Sequence, residues 1–232
     1  MLQQLGKYIF MIEWGYKYIS LFKKIYTHPF KSIKTKYLQL SHHRQDYSNK
    51  VLEYLNIEVE LHGSLPQHNK VLYAINHRSL LDIIVMEHLF SRYEKNGVWI
   101  AKQELFDAFY GDFFRYSGCI SVDIENKKGL LHFFKYIKKI LSKVQDLNIF
   151  IFPEGERHKG KGVKSFQSGA VKIAKANGLE VLPVYINDTL ESVFKAAPYK
   201  KTKTVQIYVG SLCAPEDLEE HYAQLIKKAE NE

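Results

Sequence analysis

The segment Val71-Leu72-Tyr73-Ala74-Ile75-Asn76-His77-Arg78-Ser79-Leu80-Leu81-Asp82 contains the change of pattern that decides the fold. Residues 71–75 form a continuous apolar run of strand length, whereas apolar residues recur at helical spacing over residues 80–93. The polar residues 76–79 separate the two patterns. The segment therefore predicts a buried strand, a short polar loop and a helix.

The same alternation continues along the chain. Apolar runs of strand length occur at residues 58–61, 71–75, 98–101, 119–122, 148–152, 181–186 and 205–209. Helical patterns occur at residues 80–93, 127–143, 166–176 and 217–229. Alternating strands and helices predict an α/β fold with a largely parallel central sheet flanked by helices. Ligands of such sheets bind beyond the carboxyl ends of the strands, which is where the polar stretches of this chain fall.

The first 50 residues differ from the rest in charge. The whole chain has a net charge of +8, and residues 1–50 contain nine basic and two acidic residues, a net charge of +7. Thr27-His28-Pro29 predicts a break between two helices, because proline disfavours helical backbone in the residue before it. We therefore predict an N-terminal helical segment over residues 1–50 and an α/β domain over residues 51–232.

The pattern of apolar residues in this front segment favours a membrane surface as its partner. Trp14 and several tyrosines suit the depth of the lipid headgroups. Residues at spacings of three and four predict one apolar stripe on an amphipathic helix that lies in the interface plane: Leu2, Leu5, Ile9, Ile12, Tyr16, Ile19 and Phe22. The alternative is a helix packed on the domain. We expect no nucleic-acid partner, because no DNA- or RNA-binding motif accompanies the basic residues.

Other simple classes are excluded by composition. Charged residues interrupt the front segment, so no stretch approaches the roughly 18–20 apolar residues of a membrane-spanning helix, and no signal peptide is expected. Cys119 and Cys213 are far apart and form no CxxC motif, so they predict neither a disulfide framework nor a zinc site. A reducing compartment is the plain expectation.

His77 and Asp82 form the first candidate constellation. On one continuous helix, five residues turn through about 500°, so the two side chains would point about 140° apart. They meet only if His77 lies in the loop after the strand and Asp82 lies in the first turns of the helix. An aspartate bonded to one ring nitrogen fixes the tautomer and raises the basicity of the other nitrogen. The pair therefore predicts a general base, and the alternative is a polar cluster that caps the helix.

A second polar cluster follows the apolar run 149–152. Pro153-Glu154-Gly155 predicts a tight turn that presents two acids and Arg157 at the end of the strand. A basic loop with glycines follows, and it includes Lys164. A guanidinium group matches the geometry of phosphate. The loop therefore predicts a phosphate site, with a solvated charged loop as the alternative.

Together these motifs resemble the glycerolipid acyltransferase family. The family's Asn-His-x4-Asp motif corresponds to Asn76, His77 and Asp82. Its Phe-Pro-Glu-Gly-x-Arg motif corresponds to residues 152–157, and its Val-x-Pro-Val motif corresponds to residues 181–184. Two lesser family features are also present, Lys102-x-Glu104-Leu105 and the run Phe166–Ala170. The order and spacing fit across roughly residues 58–190.

The resemblance implies direct acyl transfer. His77, oriented by Asp82, takes the proton from the hydroxyl group of a lysolipid, and the oxygen attacks the thioester of acyl-CoA or acyl carrier protein. It places the phosphate-binding residues at Lys102, Arg157, Glu154 and Gly155, with Asn76 and Lys164 in support. It implies no metal and no cofactor beyond the thioester. It also implies a peripheral protein on the cytoplasmic face of the membrane, in phospholipid biosynthesis, with lysophosphatidic acid as acceptor.

One departure from the family pattern bears on the acceptor. The second family motif usually ends in an arginine that helps to hold the acceptor's phosphate, and Ile124 stands at that position here. Lys127 or Lys128 could substitute for it, or Lys102 and Arg157 could suffice. Another lysolipid, such as a lyso-aminolipid or a lysophospholipid, is therefore an alternative acceptor. A non-enzymatic membrane-surface protein of the same fold is a further alternative.

Overall fold

The computed structural model describes residues 2–108, 111–123, 126–158 and 162–231, with side chains from residue 6 onward. The strands in this part of the chain are β1 Ile57–His62, β2 Val71–Ile75, β3 Gly97–Lys102, β4 Ile120–Val122, β5 Asn148–Ile151, β6 Glu180–Ile186 and β7 Lys203–Val209. The α-helices are α1 Leu2–Tyr26, α2 Ile33–Leu55, α3 Leu81–Arg92, α4 Gln103–Asp107, α5 Gly111–Tyr116, α6 Lys127–Lys143, α7 Gly169–Asn177, α8 Leu190–Ala196 and α9 Leu218–Asn231.

The strands form one seven-stranded sheet in the order β1-β7-β6-β2-β5-β3-β4. Neighbouring strands are parallel except for β6 and β7, which pair antiparallel. The carboxyl ends of β2, β3, β4, β5 and β6 therefore meet at one edge of the sheet, which we call the carboxyl edge. The predicted α/β fold with a largely parallel sheet flanked by helices is confirmed.

Successive residues of a strand point to opposite faces of the sheet, and the strands here carry apolar residues on both faces. Helices therefore cover both faces. On β2, Tyr73 packs into the cluster formed with α1, α2, α3 and α8, whereas Leu72 packs into the cluster formed with α6, α7 and α9. All five residues of β2 are buried. A strand buried on both faces reads as a continuous apolar run, which is the pattern that predicted β2.

Pro183 lies in an interior strand, although proline lacks the N–H group that such a strand uses for pairing. β6 lies between β7 and β2. The carbonyl oxygen of Pro183 accepts a hydrogen bond from the N–H of Gly210, just past the end of β7 at Val209. The N–H that proline lacks would point to that same side. β7 has already ended there, so no bond between two strands is lost.

The predicted break in the front segment is confirmed, because α1 ends at Tyr26 and α2 begins at Ile33. α2 packs on the sheet and buries Leu40, Val51 and Leu55, whereas α1 packs on α2 and α5. The boundary predicted after residue 50 falls inside α2.

The two sides of α1 have different surroundings. Tyr18, Phe22 and Ile25 are buried in the core, whereas the apolar residues of the opposite side are exposed: Tyr8, Ile9, Ile12 and Tyr16. The single predicted stripe is therefore divided. Thirteen residues separate Ile9 from Phe22, and at about 100° per residue they place the two side chains roughly 140° apart. No helix in the described part of the chain is long and apolar enough to cross a bilayer.

Candidate active site

The candidate site begins at the predicted pair in the β2–α3 connection. His77 lies in the loop after β2, and Asp82 lies in the first turn of α3. The ring atom Nδ1 of His77 is 2.8 Å from Oδ2 of Asp82. The contact that the sequence predicted between these side chains is therefore present, with the loop and the helix placed as expected.

Asp82 holds the loop as well as the ring. Its Oδ2 atom accepts hydrogen bonds from the backbone N–H groups of Arg78, at 2.6 Å, and Ser79, at 2.8 Å. Asp82 is 1% exposed. Because an ionised carboxylate only accepts hydrogen bonds, Nδ1 of His77 carries the proton and Nε2 of a neutral ring is the free acceptor. Whenever the ring is neutral, Nε2 is therefore the nitrogen that can accept a proton.

Asn76 ties the same loop to the sheet. Its side-chain amide donates to the carbonyl oxygen of Ile186 at 3.0 Å, and its Oδ1 accepts from the backbone N–H of Ile186 at 2.7 Å. Ile186 is the last residue of β6. The side chain therefore extends the ladder between β2 and β6 by one pair of hydrogen bonds. The residue before His77 is thereby fixed to the end of β6.

Glu154 has contacts that differ from its predicted place beside the acceptor's phosphate. It is 1% exposed. Its Oε1 accepts from the backbone N–H of His77 at 2.7 Å, and its Oε2 accepts from the backbone N–H of Lys164 at 2.8 Å. The carboxylate therefore joins the His77 loop to the basic loop. A single sequence cannot show this, because the turn of residues 152–155, which contains Glu154, decides whether the side chain points inwards or outwards.

That turn depends on Gly155. Its N–H donates to the carbonyl oxygen of Phe152 at 3.0 Å, and its φ angle is +71°. A Cβ atom at this position would lie 2.6 Å from the side chain of Gln167. Gly155 is needed for its backbone angle, whereas the exposed end of the Gln167 side chain can move aside. It shapes the pocket wall beside His77.

The predicted phosphate ligands are more exposed than these groups. Lys102 is half-buried at the end of β3 and lines the same pocket as His77. Arg157 and Lys164 are exposed on the basic loop, where Lys164 forms an ion pair with Glu156. The hydrogen bond and charge of Lys164 lower the pKa of Glu156, and the charge of Lys102 also lowers it. The structure therefore brings Lys102 into the pocket and leaves Arg157 exposed, outside the residues that line it.

An apolar pocket opens beside His77 at the carboxyl edge. It lies between β3, β4, β5 and the start of α7, and Lys102 and Gln167 contribute polar groups to it. Its apolar wall is formed by Ile100, Val122, Ile151, Phe152, Ala170 and Ile173. A pocket of this composition suits an apolar ligand that is oriented by a few polar groups.

Aromatic rings support His77 from one side. Its ring stacks on Phe152 with a centroid distance of 3.8 Å and an interplanar angle of 9°. Sequence reasoning identified Phe152 as a motif residue but did not predict this contact, because nothing in the spacing of residues 77 and 152 indicates it.

Arg78 is a second residue whose place the sequence did not reveal. It is 7% exposed, and its guanidinium group donates to the carbonyl oxygen of Gly162 at 2.8 Å and to the hydroxyl group of Tyr185 at 3.2 Å. It therefore ties the basic loop to the sheet next to His77. Its position inside the Asn-His-x4-Asp motif was the signal that could have identified it as a residue of the site.

Two further predictions concern Ile124 and a metal site. Ile124, at the position where the family pattern has an arginine, lies outside the described residues. Among the residues that the structure describes, no group of three or more His, Cys, Asp or Glu residues is placed to hold a metal ion.

These contacts define a class of site. A histidine with an unprotonated Nε2 stands at the carboxyl edge of an α/β sheet, next to an apolar pocket with a lysine at its rim. Such a site is suited to removing a proton from a substrate that has both an apolar and an anionic part.

Comparison with known proteins identifies the family. The acyltransferase family model matches residues 56–187, which contain every candidate site residue, and the chain belongs to this family. The 1-acyl-sn-glycerol-3-phosphate acyltransferase of Helicobacter pylori is 36% identical over 150 residues, which are 63% of this chain and 60% of that protein. The corresponding protein of Escherichia coli is 24% identical over 142 residues, 60% of this chain and 56% of that protein.

A solved structure has the same fold. The crystal structure of the 1-acyl-sn-glycerophosphate acyltransferase PlsC from Thermotoga maritima superposes with a TM-score of 0.68, over 98% of this chain and 91% of that one, at 21% identity. At this identity the similarity establishes the fold. The chain spans about three fifths of the length of the relatives from Helicobacter pylori and Escherichia coli.

Proposed function

We propose that the chain transfers a fatty acyl group from an acyl thioester to the sn-2 hydroxyl of lysophosphatidic acid and so forms phosphatidic acid. The observation that carries the proposal is the 2.8 Å contact between His77 and Asp82 beside an apolar pocket with Lys102 at its rim. Membership of the acyltransferase family supports it. So does the similarity to several proteins named 1-acyl-sn-glycerol-3-phosphate acyltransferase.

The reaction needs one proton acceptor. Nε2 of His77 takes the proton of the lysolipid hydroxyl while the oxygen attacks the thioester carbon. The new C–O bond forms, the C–S bond breaks, and the imidazolium returns its proton to the leaving thiolate. Asp82 stabilises the imidazolium, because its buried carboxylate is bonded to the other ring nitrogen.

The negative charge on the carbonyl oxygen needs donors during the transfer. Gly169 and Ala170, in the first turn of α7, line the pocket. N–H groups in a first helical turn have no acceptor within the helix, and a helix N-terminus favours negative charge. We propose that this turn faces the oxyanion.

Substrate binding divides between the apolar and the cationic parts of the site. We propose that the pocket accepts acyl chain and that Lys102 and Arg157 bind the phosphate of the acceptor. Lys164 is the third cation of this group, although its amine is paired with Glu156. Acyl-CoA and acyl carrier protein are both candidate donors, and the thioester supplies the activated acyl group without a further cofactor.

Product identification tests the reaction. Wild type and His77→Ala are incubated with lysophosphatidic acid in micelles and with acyl-CoA or acyl carrier protein, and the lipids are identified by mass spectrometry. We expect phosphatidic acid from wild type and none above background from the variant. If wild type forms no phosphatidic acid with either donor, the proposal is wrong.

A different lysolipid is the second candidate acceptor, and Ile124 is the observation that favours it. The same assay with a lyso-aminolipid and with lysophosphatidylethanolamine separates the two. Transfer to one of these lipids alone would show that the arginine of the family motif is required for lysophosphatidic acid.

We also propose that the outer side of α1 binds the cytoplasmic face of a membrane, where a lysolipid and its product reside. Tyr8, Ile9, Ile12 and Tyr16 are exposed, and the lysines exposed on the same helix suit anionic lipids: Lys17, Lys23 and Lys24. The opposite side of α1 packs on the domain, so the helix would hold the site close to the lipid surface.

Liposome co-sedimentation tests this surface. Ile9→Asp/Ile12→Asp should reduce binding to anionic vesicles at least tenfold without changing the thermal midpoint, since both side chains are exposed. Leu131→Asp is a matched control, because Leu131 is 57% exposed on α6, against the other face of the sheet. Equal binding by wild type and the α1 variant would show that α1 is an ordinary packed helix.

A further inference from the structure

The rings of Trp99, Phe152 and His77 form a stack, with His77 at one end. The ring of Phe152 stacks on His77 at 3.8 Å and on Trp99 at 4.9 Å, with an interplanar angle of 27° for the second pair. Trp99 is 3% exposed and belongs to β3, whereas Phe152 follows β5. Phe152 therefore connects the His77 ring to a tryptophan that the reaction itself does not use.

A buried carboxylate fixes the orientation of this tryptophan. The indole N–H of Trp99 donates to Oε1 of Glu87 at 2.9 Å. Glu87 is fully buried, and the same oxygen accepts from Nε of Arg44 at 2.6 Å. The other nitrogens of Arg44 donate to the carbonyl oxygens of Ser117 and Gly97, each at 2.6 Å. The indole thus cannot turn without breaking a bond to a group that is itself held on several sides.

This arrangement is not needed for packing alone. A buried ion pair is weak evidence for stability, because apolar residues of similar volume often replace such a pair at no loss. Among the residues that the structure describes, the Oε2 atom of Glu87 also has no hydrogen-bond partner, which is costly for a buried oxygen. What the pair does supply is one defined direction for the indole N–H.

α3 controls the His77 ring in two ways. Asp82, in its first turn, bonds to the edge of the ring through Nδ1. Glu87, five residues later on the same helix, acts on the face of the ring through Trp99 and Phe152. The first contact fixes where the edge of the ring points, and the second fixes the plane in which it lies.

We propose that Trp99, held by Glu87, is a positioning residue for the imidazole of His77 and acts through Phe152. The proposal rests on the proposed acyl transfer, in which Nε2 must meet the substrate hydroxyl at hydrogen-bond distance. A displacement of about 1 Å in such a site can cost roughly 10²-fold in rate. A looser ring should lower kcat and leave the binding of both substrates unchanged.

Trp99→Phe is the first variant, because it keeps an aromatic ring and removes the N–H donor, while Oε1 of Glu87 keeps its bond to Arg44. We expect kcat to fall about tenfold, with KM for donor and acceptor within about twofold of wild type. Phe152→Leu removes the stacked face and should lower kcat further. Phe152→Tyr, which restores an aromatic face, should recover most of the loss.

Phe90→Leu is the matched control for packing. Phe90 is fully buried and stacks on Phe150 at 4.0 Å. Its loss should lower the thermal midpoint as much as Phe152→Leu does, with little change in kcat per folded molecule. If Phe90→Leu and Trp99→Phe reduce kcat equally, with equal losses of stability, the positioning role is wrong.

A second measurement does not depend on substrate. The NMR signals of the His77 ring protons are assigned by their absence in His77→Ala. Stacking on Phe152 shields these protons, so we expect their shifts to change in Trp99→Phe and Phe152→Leu and to stay constant in Phe90→Leu. Unchanged shifts in Trp99→Phe would overturn the proposal. A wild type that transfers no acyl group to any lysolipid would overturn the proposed function instead, while the NMR result would still decide whether Trp99 holds the ring.

Discussion

The two halves of the candidate site are built in opposite ways. The base half consists of Asn76, His77 and Asp82, and apart from the Nε2 edge of His77 its polar groups are buried and bonded to the chain. The cationic half consists of Lys102, Arg157 and Lys164, of which the last two are exposed.

The difference follows from what each half has to do. A base must stand within hydrogen-bond reach of the proton that it removes, so its orientation has to be fixed before the substrate arrives. A phosphate group is charged and attracts exposed cations over a distance of several ångströms. Each cation stays hydrated until the substrate arrives, so its position need not be fixed beforehand. We therefore expect changes in the base half to act on kcat and changes in the cationic half to act on KM.

The largest expected effect is in the base half. His77→Ala and Asp82→Ala should each lower kcat by roughly 10²–10⁴-fold, which is the usual contribution of general-base catalysis. The double variant should be no slower than His77→Ala, because the two side chains act as one unit. Free-thiol release from the acyl thioester, measured with lysophosphatidic acid, gives the three rates. Independent, additive losses would show that Asp82 does not act through the ring.

An intermediate effect is expected where the two halves join. Glu154→Ala removes the acceptor of two backbone N–H groups, on His77 and Lys164, and each unsatisfied group costs about 1–3 kcal/mol. Chemical denaturation should show a free energy of unfolding lower by about 2 kcal/mol or more, and kcat should fall because the His77 loop loses its support.

Glu156→Ala is the control for that loss, because Glu156 lies two residues further on, is exposed and forms an ion pair with Lys164 through its side chain. Its unfolding midpoint should stay close to that of wild type. Equal destabilisation by both variants would show that the hydrogen bonds of Glu154 contribute no more to the free energy of unfolding than the exposed ion pair does.

The smallest expected effect is in the cationic half. Arg157→Ala should raise KM for lysophosphatidic acid about tenfold with kcat within about threefold, because one of several exposed cations is lost. The wild-type KM should also rise with ionic strength, since exposed charges are screened by salt. Arg115→Ala is the control, on the exposed surface of α5. A large fall in kcat for Arg157→Ala would place this arginine at the reaction centre.

The sequence predicted local features better than long-range contacts. The strand of residues 71–75 depends on local periodicity, and it was predicted. The contact between His77 and Asp82 depends on a spacing of five residues, and it was predicted as well. Glu154 was placed beside the phosphate, although its carboxylate faces the amides of His77 and Lys164. These partners are 77 and 10 residues away, and only the packed fold decides which of them a side chain meets.

The sequence also failed to predict three short helices and the division of the apolar stripe of α1. α4, α5 and α8 have five to seven residues, too few to show a helical period. In α1, residues at spacings of three and four predict one stripe, but over 20 residues this spacing departs from the helical repeat, so the positions of the side chains drift round the helix. Phe22 therefore lies in the core, whereas Ile9 and Ile12 lie outside.

The most direct test is the rate of acyl transfer at saturating lysophosphatidic acid, measured side by side for wild type, His77→Ala and Arg157→Ala. We expect saturation to bring Arg157→Ala to within about threefold of wild type and to leave His77→Ala at least about 10²-fold slower. A His77→Ala variant that reaches the wild-type rate would contradict the assignment of the base. An Arg157→Ala variant that stays as slow as His77→Ala would contradict the division of the site into a base half and a cationic half.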